Sequence, residues 1–264
     1  MKYSAKLLSS LRLLPLLLAG ARSEEKQAPA AADPRLLSQG WIIPSEGYSD
    51  QPDIVQADDG AWVCIVTTGK GREGAQGQHV VSLRSTDQGR TWEDIVPIEP
   101  ADGPEASYGV LLKVPGGRLY AFYNHNTDRV TEVKREDSKE PYKRVDCVGH
   151  YVFKYSDDHG RTWSAQRYDI PVREFECDRT NVYGGKERFF WNVGMPIIVG
   201  PTAFMTLHKV GAMGEGFYAQ SEGAVLASRN ILTERDPAKI TFETLPDGDI
   251  GLRPPPGGGR IAEE

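Results

Sequence analysis

The chain has 264 residues, of which 39% are hydrophobic and 9% aromatic, enough apolar surface for a folded core; this excludes wholesale disorder. Its 31 Lys and Arg stand against 37 Asp and Glu, and the net charge of −6 argues against a nucleic-acid partner, whose binding rests on concentrated positive charge. Three cysteines, none in a CxxC pair, exclude a dense disulfide scaffold and a Cys-based zinc site. The 28 Gly and 18 Pro fall in short clusters between β-branched and aromatic runs, the punctuation of many short strands and turns.

In chain order, Lys2, Lys6 and Arg12 precede the apolar run Leu13-Leu14-Pro15-Leu16-Leu17-Leu18 and then Ala19-Gly20-Ala21. These are the parts of a secretory signal peptide, so residues 1–21 are expected to be a leader and the mature chain secreted or periplasmic. The apolar run is far shorter than the ~20 residues that span a bilayer, so no membrane span is expected. Residues 22–40, rich in Ala, Glu and Lys with Pro29 and Pro34, have the composition of a linker. Residues 40–44 predict a strand with no partner nearby. Cys64 lies in the strand-like run Trp62-Val63-Cys64-Ile65-Val66 and is expected to be a buried thiol. Cys147 and Cys177 flank one predicted sheet and are the candidate disulfide pair.

The dominant signal is a repeat. Ser85-Thr86-Asp87-Gln88-Gly89-Arg90-Thr91-Trp92 and Ser156-Asp157-Asp158-His159-Gly160-Arg161-Thr162-Trp163 share the pattern S-x-D-x-G-R-T-W. A worn third copy begins at Ser228-Arg229-Asn230, with an insertion before Ile240-Thr241-Phe242 and Phe in place of Trp. A fixed period with one turn signature per unit is the mark of a repeat architecture. Asp accepts backbone N–H bonds across a tight loop and Gly supplies a left-handed conformation, so each copy predicts a hairpin turn. Strand-like runs precede each copy, and a second hairpin lies earlier in each unit, across Asp58-Asp59-Gly60, Pro115-Gly116-Gly117 and Gly200-Pro201. The prediction is an all-β chain of three four-stranded antiparallel units at about 48–100, 104–172 and 191–246, the blades of a β-propeller.

The repeated pattern resembles the Asp-box, or bacterial neuraminidase repeat, of the sialidase superfamily, over residues 50–245. The resemblance implies a sialidase-like propeller, six-bladed when complete, so that residues 41–264 would be about half of one, with the start of a further blade at the C-terminus. The missing half would then be a partner. In that family the box is structural, so Asp87, Asp157 and Asp158 are expected to hold turns and not to catalyse. The family's activity rests on three arginines for the substrate carboxylate, an acid Asp, and a Tyr nucleophile activated by Glu. Here Ser49-Asp50-Gln51-Pro52-Asp53 stands where the first arginine motif belongs, with Gln51 in place of Arg. The loop where the acid Asp belongs holds Arg72 and Glu73 but no Asp. A non-sialic glycan is therefore the expected substrate, cleaved by a glycoside hydrolase; a non-catalytic propeller that binds glycan or protein is the alternative, because fold does not choose function.

Strand direction sorts the loops onto two rims, with the Asp-containing turns on one and the chemistry expected on the other. On that second rim Glu73 is expected as a general acid, and His125 or Asp178 as a base or transition-state stabiliser. Asp50, Gln51, Arg72, Tyr108, Asn124, Asn126, Asn181, Trp191 and His208 are expected to hold substrate. Tyr48, Glu105, Glu215 and Tyr218 fall in the same loops. No cofactor is expected, and no metal, although His79, His125 and His208 come from different units.

Overall fold

A computed structural model describes residues 33, 35–135, 138–192, 194–211 and 221–255. The expected leader, most of the linker, Glu215, Tyr218 and residues 256–264 lie outside the described residues. Up to Gly40 the described residues belong to a unit of their own, with a 3₁₀ turn over Leu37–Gln39 and an Asp33–Arg35 ion pair of 2.7 Å. From Trp41 onward a second unit holds three consecutive antiparallel sheets.

The first sheet is β1 (Tyr48–Gln56), β2 (Trp62–Gly69), β3 (Gln78–Ser85) and β4 (Val96–Pro97), hydrogen-bonded in chain order. The second is β5 (Ala106–Lys113), β6 (Leu119–His125), β7 (His150–Ser156) and β8 (Tyr168–Asp169), again in order. In the third, β9 (Phe189–Trp191) and β10 (Ile197–Val199) both pair with β11 (Thr202–Val210), which is followed by β12 (Ser221–Ser228) and β13 (Glu243–Leu245). Its innermost strand is thus split in two. Pro196, which has no N–H to give to a ladder, immediately precedes the second piece. The only helix of α type among the described residues is the single turn α1 (Glu176–Arg179), which the sequence reading does not anticipate. The chain is nearly all-β, built as successive four-stranded antiparallel blades of a propeller fold.

The strands β2 and β6 read as largely apolar runs and are buried along almost their whole length. Val63, Ile65 and Val80 of the first sheet pack against Leu119, Ala121, Tyr123 and Val152 of the second. The other face of the second sheet sets Tyr120, Phe122, Tyr151 and Phe153 against Ala203, Met205, Leu207, Ala224 and Leu226 of the third. The first seam is close: a Cβ on Gly109 would lie 2.7 Å from Ile65 Cδ1. Among the described residues nothing comparable covers the edge of the third sheet at β10, where Met195, Ile197 and Val199 are 57%, 58% and 60% exposed.

Each full copy of the repeated pattern closes on itself through the same bonds. Ser85 Oγ accepts from the Gly89 N–H at 2.7 Å, and Asp87 accepts from the Thr91 N–H at 2.8 Å and its hydroxyl at 2.7 Å. In the second copy the corresponding distances are 2.8 Å to Gly160 and 2.9 and 2.6 Å to Thr162. Hydrogen bonds from the Thr91 backbone and side chain hold the Asp87 carboxyl at about 2. In the third, Asn230 Oδ1 accepts from the Thr241 N–H at 3.0 Å. The aromatic residue then reaches back to the previous sheet. The Trp163 indole donates to Ser82 Oγ at 2.8 Å, and Phe242 lies 6.0 Å from Phe153 and 6.4 Å from Phe122. Asp158→Ala removes the acceptor that closes its turn and is expected to lower stability by about 1–2 kcal/mol, as loss of a comparable cap does. Urea unfolding measures it; an unchanged midpoint would mean that the turn holds without its carboxylate.

Two expectations are corrected. Residues 40–44 form no strand; Ile43 packs irregularly on Val66, Val81 and Leu83, with Pro44 unable to donate to a ladder. Cys147 and Cys177 form no disulfide and sit in different cores, Cys147 beside Val145 and Phe189 and Cys177 beside Phe175 and Phe190.

Candidate functional site

The loops divide between two rims. On one, Asp59 is 3.0 Å from Arg84 and 3.1 Å from Arg161, and Arg118 forks Asp157 at 2.7 and 2.9 Å. These contacts tie the inner hairpins, through Asp59 and Arg118, to the second copy of the repeated pattern, and Asp59 also to the end of β3. On the other, the β2–β3 loop meets the long β6–β7 loop. Gln76 Nε2 donates to the Thr131 carbonyl at 3.0 Å and the Val145 N–H to the Gly74 carbonyl at 3.1 Å. Gly74 permits the approach, because a Cβ there would overlap the Arg144 side chain.

Both inner strands carry a bulge at this second rim, between Asp50 and Asp53 in β1 and between Ser107 and Val110 in β5. Gln51 and Tyr108 sit in the bulges with φ of 49° and 61°, a left-handed conformation that non-glycine residues hold only when the surroundings enforce it. The bulge places the Tyr108 hydroxyl 2.6 Å from Asp146 Oδ2, to which it donates. Arg144 completes the group. Its Nε donates to both Asp146 oxygens at 2.9 and 3.0 Å, and its Nη2 to Tyr108 at 2.9 Å and Glu73 at 2.6 Å. The guanidinium lies 5.5 Å from the centre of the Trp191 ring, which is 6.0 Å from Tyr108. One arginine therefore joins a loop of the first sheet, a strand of the second and an aromatic residue of the third.

Burial governs the acid–base character of this corner. It raises the Tyr108 hydroxyl well above its usual range, and Asp146 adds to the effect. Glu105 is raised well above the ordinary carboxylate range by burial, against the opposing Ser107 hydroxyl. Asp50 is half-buried, and desolvation raises it while a Tyr48 hydrogen bond opposes. In front of these groups lies an open cleft of about 980 Å³. One wall is Tyr48, Arg72, Glu73, Gly74, Ala75 and Gln76, the other Pro141, Tyr142, Lys143 and Arg144. Flat tyrosine faces, charged donors and a desolvated carboxyl beside them suit a polar ring that must give or receive a proton.

Of the residues singled out in sequence, the cleft and its floor gather Arg72, Glu73, Asp50, Tyr108 and Trp191. Gln51 neighbours them, with its Oε1 buried. His125 and Asp178 stand elsewhere. His125 is 1% exposed, its Nδ1 2.8 Å from Thr127 Oγ1 and its Nε2 3.9 Å from Glu99. Glu99 also receives Tyr123 at 2.5 Å, Arg167 at 2.9 Å and Lys154 at 3.1 Å. Burial and the nearby Arg167 pull the His125 imidazole down to about 4, so it is neutral at pH 7. Asp178 is 0% exposed, accepts from the Phe175 N–H at 2.7 Å and pairs with the equally buried Lys209. Glu73, His125 and Asp178 share no hydrogen-bonding or ion-pairing partner among the described residues.

The three asparagines hold loops in place. Asn126 binds the Val130 carbonyl and N–H at 2.7 and 2.9 Å, and Asn181 binds the Glu187 carbonyl at 2.8 Å. Asn124 donates to the Phe190 carbonyl, linking β6 to β9. His208 is half-buried on β11, opposite Trp191. Arg144, Asp146 and Tyr142 were not anticipated. They lie in a loop charged throughout, where only the Arg144-x-Asp146 spacing hints at a pair. Among the described residues no three His, Cys, Asp or Glu side chains are grouped to hold a metal ion, and no helix is long and apolar enough to cross a membrane.

No family model matches the chain, and no curated protein matches it in sequence. Solved structures do. A protein of unknown function from Dyadobacter fermentans is 14% identical with a TM-score of 0.54, over 77% of this chain and 56% of that one. The Hadza microbial sialidase Hz136 is 15% identical with a TM-score of 0.49, over 74% of this chain and 37% of its own. Zg3597, a family 117 glycoside hydrolase of Zobellia galactanivorans, is 11% identical with a TM-score of 0.47, over 80% and 62%. The chain thus spans 37% to 62% of the length of these structures. What the likeness to the Dyadobacter protein conveys is the fold alone.

Proposed function

We propose that this is an exported, sialidase-like, carbohydrate-active protein that hydrolyses glycosidic bonds of a non-sialic glycan in the cleft between the β2–β3 and β6–β7 loops. The observation that carries the reading is the cleft itself, about 980 Å³, with Tyr48 and Tyr142 on facing walls and Asp50 behind Tyr48. Asp50 is the proposed proton donor, because burial favours its protonated form while it remains half-exposed. Glu73 is bonded to Arg144 at 2.6 Å, and its role is to position that guanidinium. Asp146 and Tyr108 hold the same arginine from beneath.

The test is release of reducing ends from a panel of oligosaccharides and polysaccharides. Asp50→Asn is expected to lower kcat by about 10²–10⁴-fold, the usual contribution of a positioned acid, with KM little changed. Glu73→Gln is expected to change KM more than kcat. Equal turnover by Asp50→Asn and the unaltered protein would remove Asp50 from the mechanism. A second reading, glycan binding without cleavage, draws support from the cleft lining, whose single carboxylate, Glu73, is already bonded to Arg144. Binding with no release of reducing ends from any glycan would favour it.

A further inference from the structure

We propose that the cleft is built for an acidic polysaccharide, a sugar chain bearing sulfate or carboxylate groups, in preference to a neutral one. The inference rests on the carbohydrate reading above and names the class of glycan. Three cations line the cleft, Arg72 on one wall and Lys143 and Arg144 on the other. The single carboxylate in the lining, Glu73, is already bonded to Arg144. On a chain with a net charge of −6 this is a local reversal of sign.

The two exposed cations are set on braced backbone. The Arg72 carbonyl accepts from Gln78 Nε2 at 2.7 Å and from the Ala75 N–H at 2.9 Å, which fixes the turn that presents the side chain. Lys143 follows Tyr142, whose N–H and carbonyl pair with Val133 at 2.7 and 2.6 Å. Asp146, a buried carboxylate held behind that wall, is forked by Arg144, and Asp50, bonded to Tyr48, is shifted toward its neutral form by burial, so neither opposes an incoming anion with its full charge. A neutral sugar offers these cations nothing better than water does, whereas a sulfate or carboxylate forms charge-assisted bonds. The volume of about 980 Å³ is at the upper end for small-molecule sites, room for more than one sugar ring.

The experiment is affinity electrophoresis of the full chain through gels containing chondroitin sulfate, polygalacturonate, dextran or laminarin, at low and high salt. Chondroitin sulfate or polygalacturonate is expected to retard the protein, with the effect falling as salt rises, and the two neutral polymers to retard it far less. The double variant Arg72→Ala/Lys143→Ala is expected to weaken retardation by the acidic polymer about tenfold or more. Arg229→Ala/Lys239→Ala, exposed cations of the third sheet, is expected to leave it unchanged. Equal retardation by neutral polymers, or an acidic-polymer response that survives loss of Arg72 and Lys143, would overturn the proposal and leave the carbohydrate reading standing. No retardation by any polymer would overturn both.

Discussion

Asp178→Ala is expected to destabilise the protein by about 3–5 kcal/mol, because it strands a buried lysine. Lys209 and Asp178 are both 0% exposed and lie against each other. Lys209 also donates to the Arg173 carbonyl, and its ammonium lies 4.2 Å from the centre of the Phe175 ring. Burial pulls the lysine below its usual range even with its partner present. Without Asp178 the ammonium loses its ion-pair partner, and Glu222, opposite it on β12, is already held by Arg253 at 2.8 Å, so the ammonium must lose its proton or open the third sheet. Urea unfolding at pH 7 measures the loss. The double change Asp178→Asn/Lys209→Met is expected to recover much of it, since a neutral pair of similar shape removes both desolvated charges. Equal losses in the single and double variants would show that packing around α1, and not the charge, sets the cost.

Lowering the pH from 7 to 4 is expected to cost about 3 kcal/mol through His125 alone, at ~1.4 kcal/mol for each pH unit of displacement. The imidazole is held down at about 4 in the folded chain, against an unfolded value near 6.5. Between those values the unfolded state carries a proton that the folded state does not. Stability therefore rises with pH across this window, is fully present above about 6.5 and is lost as pH falls toward 4. The physical origin is burial first, then the positive charge of Arg167. Urea midpoints measured from pH 7 to pH 4 test this, and His125→Gln should flatten the slope. Asp87, held at about 2, acts below that window and does not mask it. A slope unchanged in His125→Gln would place the pH sensitivity in other groups.

Much of the fold could be read directly from residue patterns, and much of the site could not, for one physical reason. Runs such as Trp62-Val63-Cys64-Ile65-Val66, bounded by Asp-Gly or Gly-Gly turns, have few conformations open to them other than a buried strand. The two S-x-D-x-G-R-T-W turns are local, with every closing bond inside eight residues, so sequence alone defines them. The split between β9 and β10 depends on the tertiary course around Asn192 and Pro196, and was not visible. In the site, Arg72 and Glu73 were accessible to reasoning because a short loop between two strands must face the rim. His125 and Asp178 looked equivalent to them. A polar residue next to a strand has the same sequence signature whether it meets solvent or a buried partner. The partners that decide the matter, Glu99 and Lys209, are remote in sequence. Arg144 and Asp146 were hidden for the opposite reason, as two charges among many in a long polar loop.

The carboxylate of Asp59 receives Arg84 from its own sheet and Arg161 from the next, so neither turn can detach without disturbing the other. The first two blades should consequently exchange their amide protons as one cooperative block. Strand β10, three residues long and exposed at all three, has no comparable tether among the described residues and should exchange first. Heating would then peel the protein from its third blade inward, leaving the Asp59-clasped pair as the last structure to dissolve.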